Sequence, residues 1–404
     1  MPTSVHDLEL AELPADLRDT DEAVALLTAA REQHWLARTP IGYIALRHEA
    51  ITKILRDRRM HQLVRLLAEM RDLDPRLRRD DRNSILTAEG DEHQRLRRLV
   101  SPAFTPRAAD RLRPFMADTM NRLVDAIAAD GTTEAVADLC EPYPIPIICE
   151  LLGAPSEDWE DFSRWATDVL SILDSDANDK VERIVPAREA LDAYVVELIA
   201  RRRTEPADDL LTVLIQAEEE GDRLSETELI TMVEAVLVAG VDTTRNQLGC
   251  ALALFAQHPE QWRLLADDPS YAPKAVEETM RHLGAVRGTG RYASEDVVID
   301  DVLFPEGTVV VTSFTTGNHD PIAFADPNTF DIGKDTTGTP QLTFGSGIHH
   351  CLGAFLARAE LQEALPILAR RLPDLELDGP VEWKPPAVAI WGPERLPLRF
   401  TPTA

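Results

Sequence analysis

From Ser225-Glu226-Thr227-Glu228 to Pro259 the chain contains no proline. A serine followed three residues later by a glutamate is a capping box that starts a helix, and proline marks where a helix stops. A helix of this extent runs about 50 Å at about 1.5 Å per residue. That crosses a whole domain, so the other elements must pack around it. Its middle, Val236-Leu237-Val238-Ala239, is apolar, and then Ala239-Gly240-Val241-Asp242-Thr243-Thr244 breaks the pattern. Glycine, an acid and two β-branched hydroxyl residues are poor choices for a helix interior, and an acid buried there is costly without a reason. A locally widened groove with a carboxyl and a hydroxyl is suited to delivering protons. The structural alternative is a glycine kink with a capped polar pair.

A second stretch, Phe344-Gly345-Ser346-Gly347-Ile348-His349-His350-Cys351-Leu352-Gly353, places a cysteine between a glycine-rich loop and the helix-like run Ala354-Phe355-Leu356-Ala357-Arg358-Ala359-Glu360. Glycines let a backbone turn tightly and approach a flat ligand closely. The N–H groups and the positive dipole end of the following helix favour a thiolate. Such a sulfur is a metal ligand or a nucleophile, or else a buried structural cysteine. No strand-turn-helix elbow surrounds it, which weakens the nucleophile. Zinc does not fit either: consecutive residues such as His349, His350 and Cys351 cannot all turn towards one tetrahedral ion, and no second ligand pair stands at finger spacing.

Four cysteines, at 140, 149, 250 and 351, show neither a disulfide framework nor a zinc pattern, and read as reduced cytosolic thiols. The net charge of −28 argues against nucleic acid and anionic membranes as partners. There is no run of about 18 apolar residues to span a membrane, and the N-terminus lacks a basic segment followed by an apolar one. No linker divides the 404 residues, so a single domain over 1–404 is expected.

Periodicity predicts helices over 20–36, 48–58, 107–130, 133–152, 156–174 and 182–203, with strands at 41–46, 297–299 and 308–311. Residues 60–86 show no clean period. On a helix over 91–100, His93 and Arg97 are four apart and share a face. Two such donors suit a carboxylate-bearing ligand, or form an ordinary solvated basic face. Glu278 and Arg281 stand at i, i+3 and can pair.

The spacing Phe-Gly-x-Gly-x-His-x-Cys-x-Gly closely resembles the haem-binding loop of the cytochrome P450 family. The resemblance extends in the family's order from residue 91 to residue 400, through the stretch carrying His93 and Arg97, the Ala239–Thr244 interruption and the Glu278-x-x-Arg281 helix. It implies a mainly α fold with small β-sheets. A haem b would lie between the long central helix and the helix following the cysteine. Cys351 would be the axial iron ligand, with Phe344 beside the sulfur and Gly345, Gly353, Ala239 and Gly240 against the macrocycle. His93, Arg97, Arg291 and His349 would neutralise the haem propionates. Asp242 and Thr243 would manage protons during insertion of one oxygen atom from O2 into a C–H or C=C bond. Departures from the family occur at His319 and Lys334, where arginines are usual; a lysine there cannot make a bidentate fork.

The resemblance is to the soluble bacterial branch, which implies a cytoplasmic enzyme served by a small acidic ferredoxin and an NAD(P)H-dependent reductase. A basic patch of Lys53, Arg56, Arg58, Arg59, Arg95 and Arg98 is the expected dock. Candidate substrate contacts are Ala235, Val238, Ala239, Ala389 and Ile390, all apolar, and Arg287, which is either a solvated side chain or one that would select an acid-bearing substrate. Two other readings stand beside this one: a peroxygenase using H2O2, and a non-catalytic haem protein for gas sensing or carriage. The acid–alcohol pair Asp242-Thr243 argues against both.

Overall fold

The segment after Ser225 forms one helix, Glu226–Gln257, of 32 residues. Its capping box is closed in both directions: Ser225 Oγ accepts the Glu228 N–H at 3.2 Å, and the Glu228 carboxylate accepts the Ser225 N–H at 2.7 Å. Most side chains after Leu229 are buried; Ala235, Ala239, Gly240 and Thr243 are among the exceptions. A helix apolar all round is a core element rather than a surface one.

The computed structural model describes residues 2–14, 20–66, 70, 72–78, 84–155, 159–174, 176–219, 224–334, 338–385 and 390–403. In chain order they begin with β1 (Thr3–Ser4), α1 (Thr20–Gln33), β2 (Leu36–Thr39), β3 (Gly42–Ala45), α2 (His48–Arg56) and β4 (Met60–Gln62). There follow α3 (Gly90–Val100), α4 (Pro106–Ile127), β5 (Thr132–Glu134), α5 (Pro144–Leu152), α6 (Trp159–Leu170), α7 (Val181–Thr204), α8 (Leu210–Glu219) and the long helix, α9. The last third comprises α10 (Pro259–Asp267), α11 (Ala272–His282), β6 (Gly288–Ala293), β7 (Val297–Ile299), β8 (Val302–Phe304), β9 (Val309–Ser313), α12 (Phe314–Asn318), α13 (Ala354–Arg371) and the short strands β10 (Glu376–Leu377), β11 (Glu382–Trp383), β12 (Pro393–Arg395) and β13 (Pro397–Arg399).

The architecture is mainly helical with small sheets. The largest sheet has five strands in the order β2-β3-β9-β6-β4. Its one parallel pair is β3 with β9, and the others are antiparallel. Among the described residues no helix is long and apolar enough to cross a membrane.

Helix α9 packs against α5, α6, α7, α11 and α13, within a core cluster running from Ala88 to Phe400. Local chemistry starts and stops the smaller helices. Thr105 caps α4, with its hydroxyl accepting the Ala108 N–H and Pro106 at the first helical position. Gly153, at φ 89°, ends α5 in the left-handed conformation.

The predicted helix over 133–152 is not continuous. Thr132–Glu134 pairs with β13, a π-helical turn occupies Val136–Cys140, and α5 begins only at Pro144. Pairing with a strand more than 260 residues away overrides the local helical pattern. The predicted helix over 20–36 likewise stops at Gln33, and Leu36 opens a strand.

Glu278 and Arg281 on α11 form a fully buried ion pair, at 2.7 and 2.8 Å. Arg281 also donates to the carbonyls of Asn318, Pro327 and Thr329. Removing one member of such a pair strands a buried charge, at a cost of about 3–5 kcal/mol. Lys334 does not reach Glu278. It donates to the carbonyls of Asp326 at 2.8 Å and Thr329 at 3.1 Å, so it holds this segment as a point charge over backbone oxygens. His319 donates through Nδ1 to the Thr315 carbonyl at 2.9 Å and leans on His282, ring centroids 5.2 Å apart.

Candidate active site

One cavity of about 330 Å3 lies between α9 and the loop before α13. The loop is bent by Gly345 at φ +68° and Gly347 at φ +75°. A Cβ on Gly347 would lie 2.2 Å from the Leu55 carbonyl oxygen, so only glycine lets the loop settle against α2. The Cys351 N–H donates to the Phe344 carbonyl at 2.9 Å. From α3, Arg97 donates to the carbonyls of Ile348 at 3.2 Å and His350 at 2.7 Å. Arg358 lies over the Phe344 ring, 4.4 Å from its centroid. These contacts hold Cys351 on the cavity wall, where its surface is accessible from the cavity while protein atoms crowd the thiol on the other sides. Burial raises the thiol above its ordinary pKa, while the Gly353 N–H, Arg97 and Arg358 pull the other way. The helix-start donors expected to favour a thiolate are therefore outweighed by desolvation in the bare protein. A coordinating metal cation reverses that balance, because a ligating thiol is deprotonated outright.

On the opposite wall α9 presents Ala235, Val236, Ala239, Gly240 and Thr243. The Thr243 hydroxyl donates to the Ala239 carbonyl at 2.9 Å. Asp242 points the other way. It is buried in an ion pair with Arg245 and lies 3.7 Å from Lys384 Nζ. Arg245 continues to Glu141 at 3.1 Å and to the Thr167 hydroxyl on α6 at 3.2 Å. The acid thus touches a polar network, and the alcohol touches the cavity.

At one end of the cavity stand His93, Arg97, Arg291 and His349. His93 is buried, its ring 4.3 Å from that of His349, and its Nδ1 has no hydrogen-bond partner. Burial, then His349 and Arg97, push its pKa down to about 4. His349 Nε2 meets the Glu89 carboxylate at 3.0 Å. Arg291 is satisfied only by neutral groups: the Gln62 side chain at 2.5 Å, the Thr289 hydroxyl and the Gly290 carbonyl. Its pKa is pushed down to about 10 by burial. Among the described residues neither Arg97 nor Arg291 pairs with a carboxylate.

The family description Cytochrome P450 matches residues 43–267 and 261–373. The chain belongs to the cytochrome P450 family. It is 38% identical over 401 residues to mycinamicin IV hydroxylase/epoxidase of Micromonospora griseorubida, covering 98% of this chain and 96% of that one. It is 42% identical over 320 residues to cytochrome P450 107B1 of Saccharopolyspora erythraea, covering 78% and 76%. Among solved structures it is similar to CalO2, with a TM-score of 0.89 and 30% identity over 96% of this chain and 99% of that one. This P450 is a monooxygenase, and the haem-thiolate group is the cofactor of its family.

The residues present fit that cofactor. An orphaned His93 nitrogen and two carboxylate-free arginines converge where a dianionic end would satisfy them. A Cβ on Gly345 or Gly353 would meet nothing within 4 Å, so both glycines open on the cavity they line. Cys351 is the thiol on the cavity wall.

The substrate candidates divide. Ala235 and Ala239 line the cavity of the P450. Val238 lies a third of a turn away on α9 and faces a separate pocket. Ile390 bridges to Val286, which is itself on the wall. Ala389 falls outside the described residues. Arg287 is not on the wall. Its guanidinium lies 4.7 Å from the Trp391 ring centroid, with Nε donating to the Thr315 hydroxyl at 3.4 Å. Successive residues of an extended strand face opposite ways, so Val286 meets the cavity and Arg287 meets an aromatic face. This corrects the expectation that Arg287 selects an acid-bearing substrate.

The expected basic patch is also thinner than its sequence. Lys53 pairs with Glu49 and Asp300, Arg59 with Asp57, and Arg95 with Glu228. Arg56, Arg58 and Arg98 remain exposed without a carboxylate partner among the described residues.

Wall residues that sequence reasoning missed include Ile85, Leu86, Met232, Gln247, Val286, Thr289 and Glu360. Glu360 on α13 is fully buried, bonded to Thr244, and its Oε2 is unpartnered. Burial raises its pKa from 4.5 to about 8. The folded protein therefore keeps a proton that the unfolded chain releases near pH 4.5. This contribution to stability is complete below pH 4.5 and is lost as pH rises towards 8. Glu360→Gln is expected to remove that slope, so the variant gains on the parent between pH 5 and pH 8. Urea denaturation of both holoproteins at the two pH values measures it, and a difference that does not change with pH would refute the assignment.

Proposed function

We propose that this P450 binds haem b through Cys351 and inserts one oxygen atom of O2 into a C–H or C=C bond of a neutral, apolar substrate. One observation carries the reading: a single cavity is bounded by Cys351, by the Thr243 hydroxyl and by an end lined with the guanidinium groups of Arg97 and Arg291 and the imidazoles of His93 and His349. In the overall balance R–H, O2, two electrons and two protons become R–OH and water. The haem, when bound, supplies the reductive activation of O2.

The chain's own groups supply the rest. Arg97, Arg291, His93 and His349 bind and orient the carboxylate end of the cofactor. Thr243 Oγ1 holds a proton at the cavity wall, and Asp242 resupplies it from the Arg245–Lys384 side. The neutral substrate class is supported by Ile85, Leu86, Met232, Ala235 and Val286, which are all apolar. The ionisable side chains of the cavity, among the described residues, sit at its cofactor end and around Cys351 and Glu360. One core cluster running from Ala88 to Phe400 and a second that joins Val5–Met60 to Ala293–Leu342 support one catalytic domain over 1–404, and four free cysteines support a reducing cytoplasmic setting.

Electrons come, in this reading, from an acidic ferredoxin and its NAD(P)H-dependent reductase. Arg56 on α2 donates to Ser346 of the cysteine loop at 2.9 Å, and Arg98 neighbours Arg97, which pins the same loop. Arg107 and Arg111 on α4 are exposed beside α13. At a net charge of −28, such a patch would steer an acidic partner by raising its association rate, over a screening length of about 10 Å at 0.1 M salt.

The test is reconstitution with ferredoxin, reductase and NADH against a panel of neutral apolar compounds. Substrate-dependent NADH consumption with an oxygenated product is expected. Product formed only with added H2O2 would favour a peroxygenase. The double variant Arg56→Glu/Arg98→Glu is expected to slow the first electron transfer several-fold at low salt and flatten its salt dependence, with ligand affinity unchanged. Stopped-flow reduction checks this, and a parental rate in the variant would move the dock elsewhere.

A further inference from the structure

The paired strands β11 and β12 lie directly on α9. A Cβ on Gly392 would stand 2.5 Å from Asn246 Oδ1, and a Cβ on Gly249 would stand 2.7 Å from Pro393 Cγ. A glycine on each side therefore permits the close approach. The Lys384 N–H donates to the Gly392 carbonyl at 3.0 Å, and Trp391 Nε1 donates to the Lys384 carbonyl at 2.9 Å. Lys384 is thereby seated beside α9, with its Nζ 3.7 Å from Asp242 Oδ2. Asp242 Oδ1 is taken by Arg245. The two oxygens of one buried carboxylate thus face two different cations.

The two cations differ in what they can do with a proton. A guanidinium stays protonated in a protein, whereas a buried ammonium can release one. A route from Glu141 to Asp242 passes through Arg245 and stops at its guanidinium. Lys384 is under no such limit. Burial pushes its pKa below the ordinary value; from α9 Asp242 raises it and Arg245 lowers it, while Asp174 after α6 and Glu394 of β12 raise it. Its side chain is 16% exposed and that of Asp242 5%, so the lysine is the end of the pair that solvent reaches. The flexible lysine stem can close the 3.7 Å gap to hydrogen-bond distance. We propose that solvent protons enter the site through Lys384. Its ammonium passes a proton to the Asp242 carboxylate, leaving a neutral amine and a neutral acid, and the amine regains a proton from water. Lys384 touches neither cofactor nor substrate, so it is a positioning residue that acts through Asp242. The inference deepens the proton-delivery reading of Asp242 and Thr243 and rests on it.

Two substitutions separate a relay from a counter-ion. Lys384→Arg keeps the charge but cannot release the proton, and Lys384→Met keeps neither. In the holoenzyme reconstituted with ferredoxin, reductase and NADH, O2 uptake is measured in H2O and in D2O. Both variants are expected to slow uptake several-fold and to enlarge the solvent isotope effect. An unshifted band in the reduced carbon monoxide complex verifies that each variant keeps its haem site. A lysine that only balances charge is replaced by arginine without loss. Parental uptake with a parental isotope effect in either variant therefore overturns the proposal, and one folded variant is enough to decide it. Uptake counts H2O2, water and product alike, so the two readings fail separately. A relay signature in a protein that oxygenates no substrate would uphold Lys384 and overturn the monooxygenase reading. Oxygenated product formed with parental isotope effects in both variants would do the reverse.

Discussion

Cys351→His is expected to abolish the absorption band that marks thiolate ligation in the reduced carbon monoxide complex, and with it all oxygenation. The expectation follows from where the other thiols lie. Cys140, Cys149 and Cys250 are buried away from the cavity wall, and burial raises the Cys140 and Cys250 thiols above their ordinary values. None can replace the lost sulfur. The loop itself is held by contacts that do not use the 351 side chain: the Arg97 bonds to Ile348 and His350, the Cys351 N–H bond to Phe344, and the glycine turns. A histidine variant should thus fold and bind haem through nitrogen. What it loses is electron donation from sulfur, which favours O–O cleavage. Persistence of the thiolate band in the variant would show that another residue ligates the iron.

The second large effect concerns protons. Thr243→Ala removes the hydroxyl that bonds the Ala239 carbonyl at the cavity wall, and its consequence is leakage rather than arrest. NADH and O2 should still be consumed, with a greater share of the electrons recovered as H2O2 and less as oxygenated product. Asp242→Asn acts upstream. The amide cannot relay a proton, and positioned acid–base groups contribute about 10²–10⁴-fold, so turnover should fall by about that range. The variant should remain folded, because Arg245 keeps its bonds to Glu141 and Thr167. Product yield per NADH and the solvent isotope effect on turnover measure the two effects. Unchanged coupling in Thr243→Ala together with unchanged turnover in Asp242→Asn would remove both residues from proton delivery.

What could be read in the sequence is chemistry complete within a few residues. The capping box of Ser225 and Glu228, the i, i+3 pair of Glu278 and Arg281, the glycine turns before Cys351 and the misplaced acid and alcohol of α9 each carry their physical reason in adjacent positions. So does the long helix, since nothing between Ser225 and Pro259 can stop it.

Tertiary structure decided whatever depends on a partner far along the chain. Glu89 joins the site through His349, 260 residues on, Gln62 does so through Arg291, and Glu360 through Thr244. No local spacing announces any of these. The break in the predicted 133–152 helix has the same origin, because the strand that claims Thr132–Glu134, the central one of its three-stranded sheet, is contributed by residues near the C-terminus. The phase of α9 is the subtlest case. A helix buried on every face shows no amphipathic stripe, so its sequence does not tell Ala239, which faces the cavity, from Val238, which faces a different space. Only the helices packed on either side of α9 separate the two.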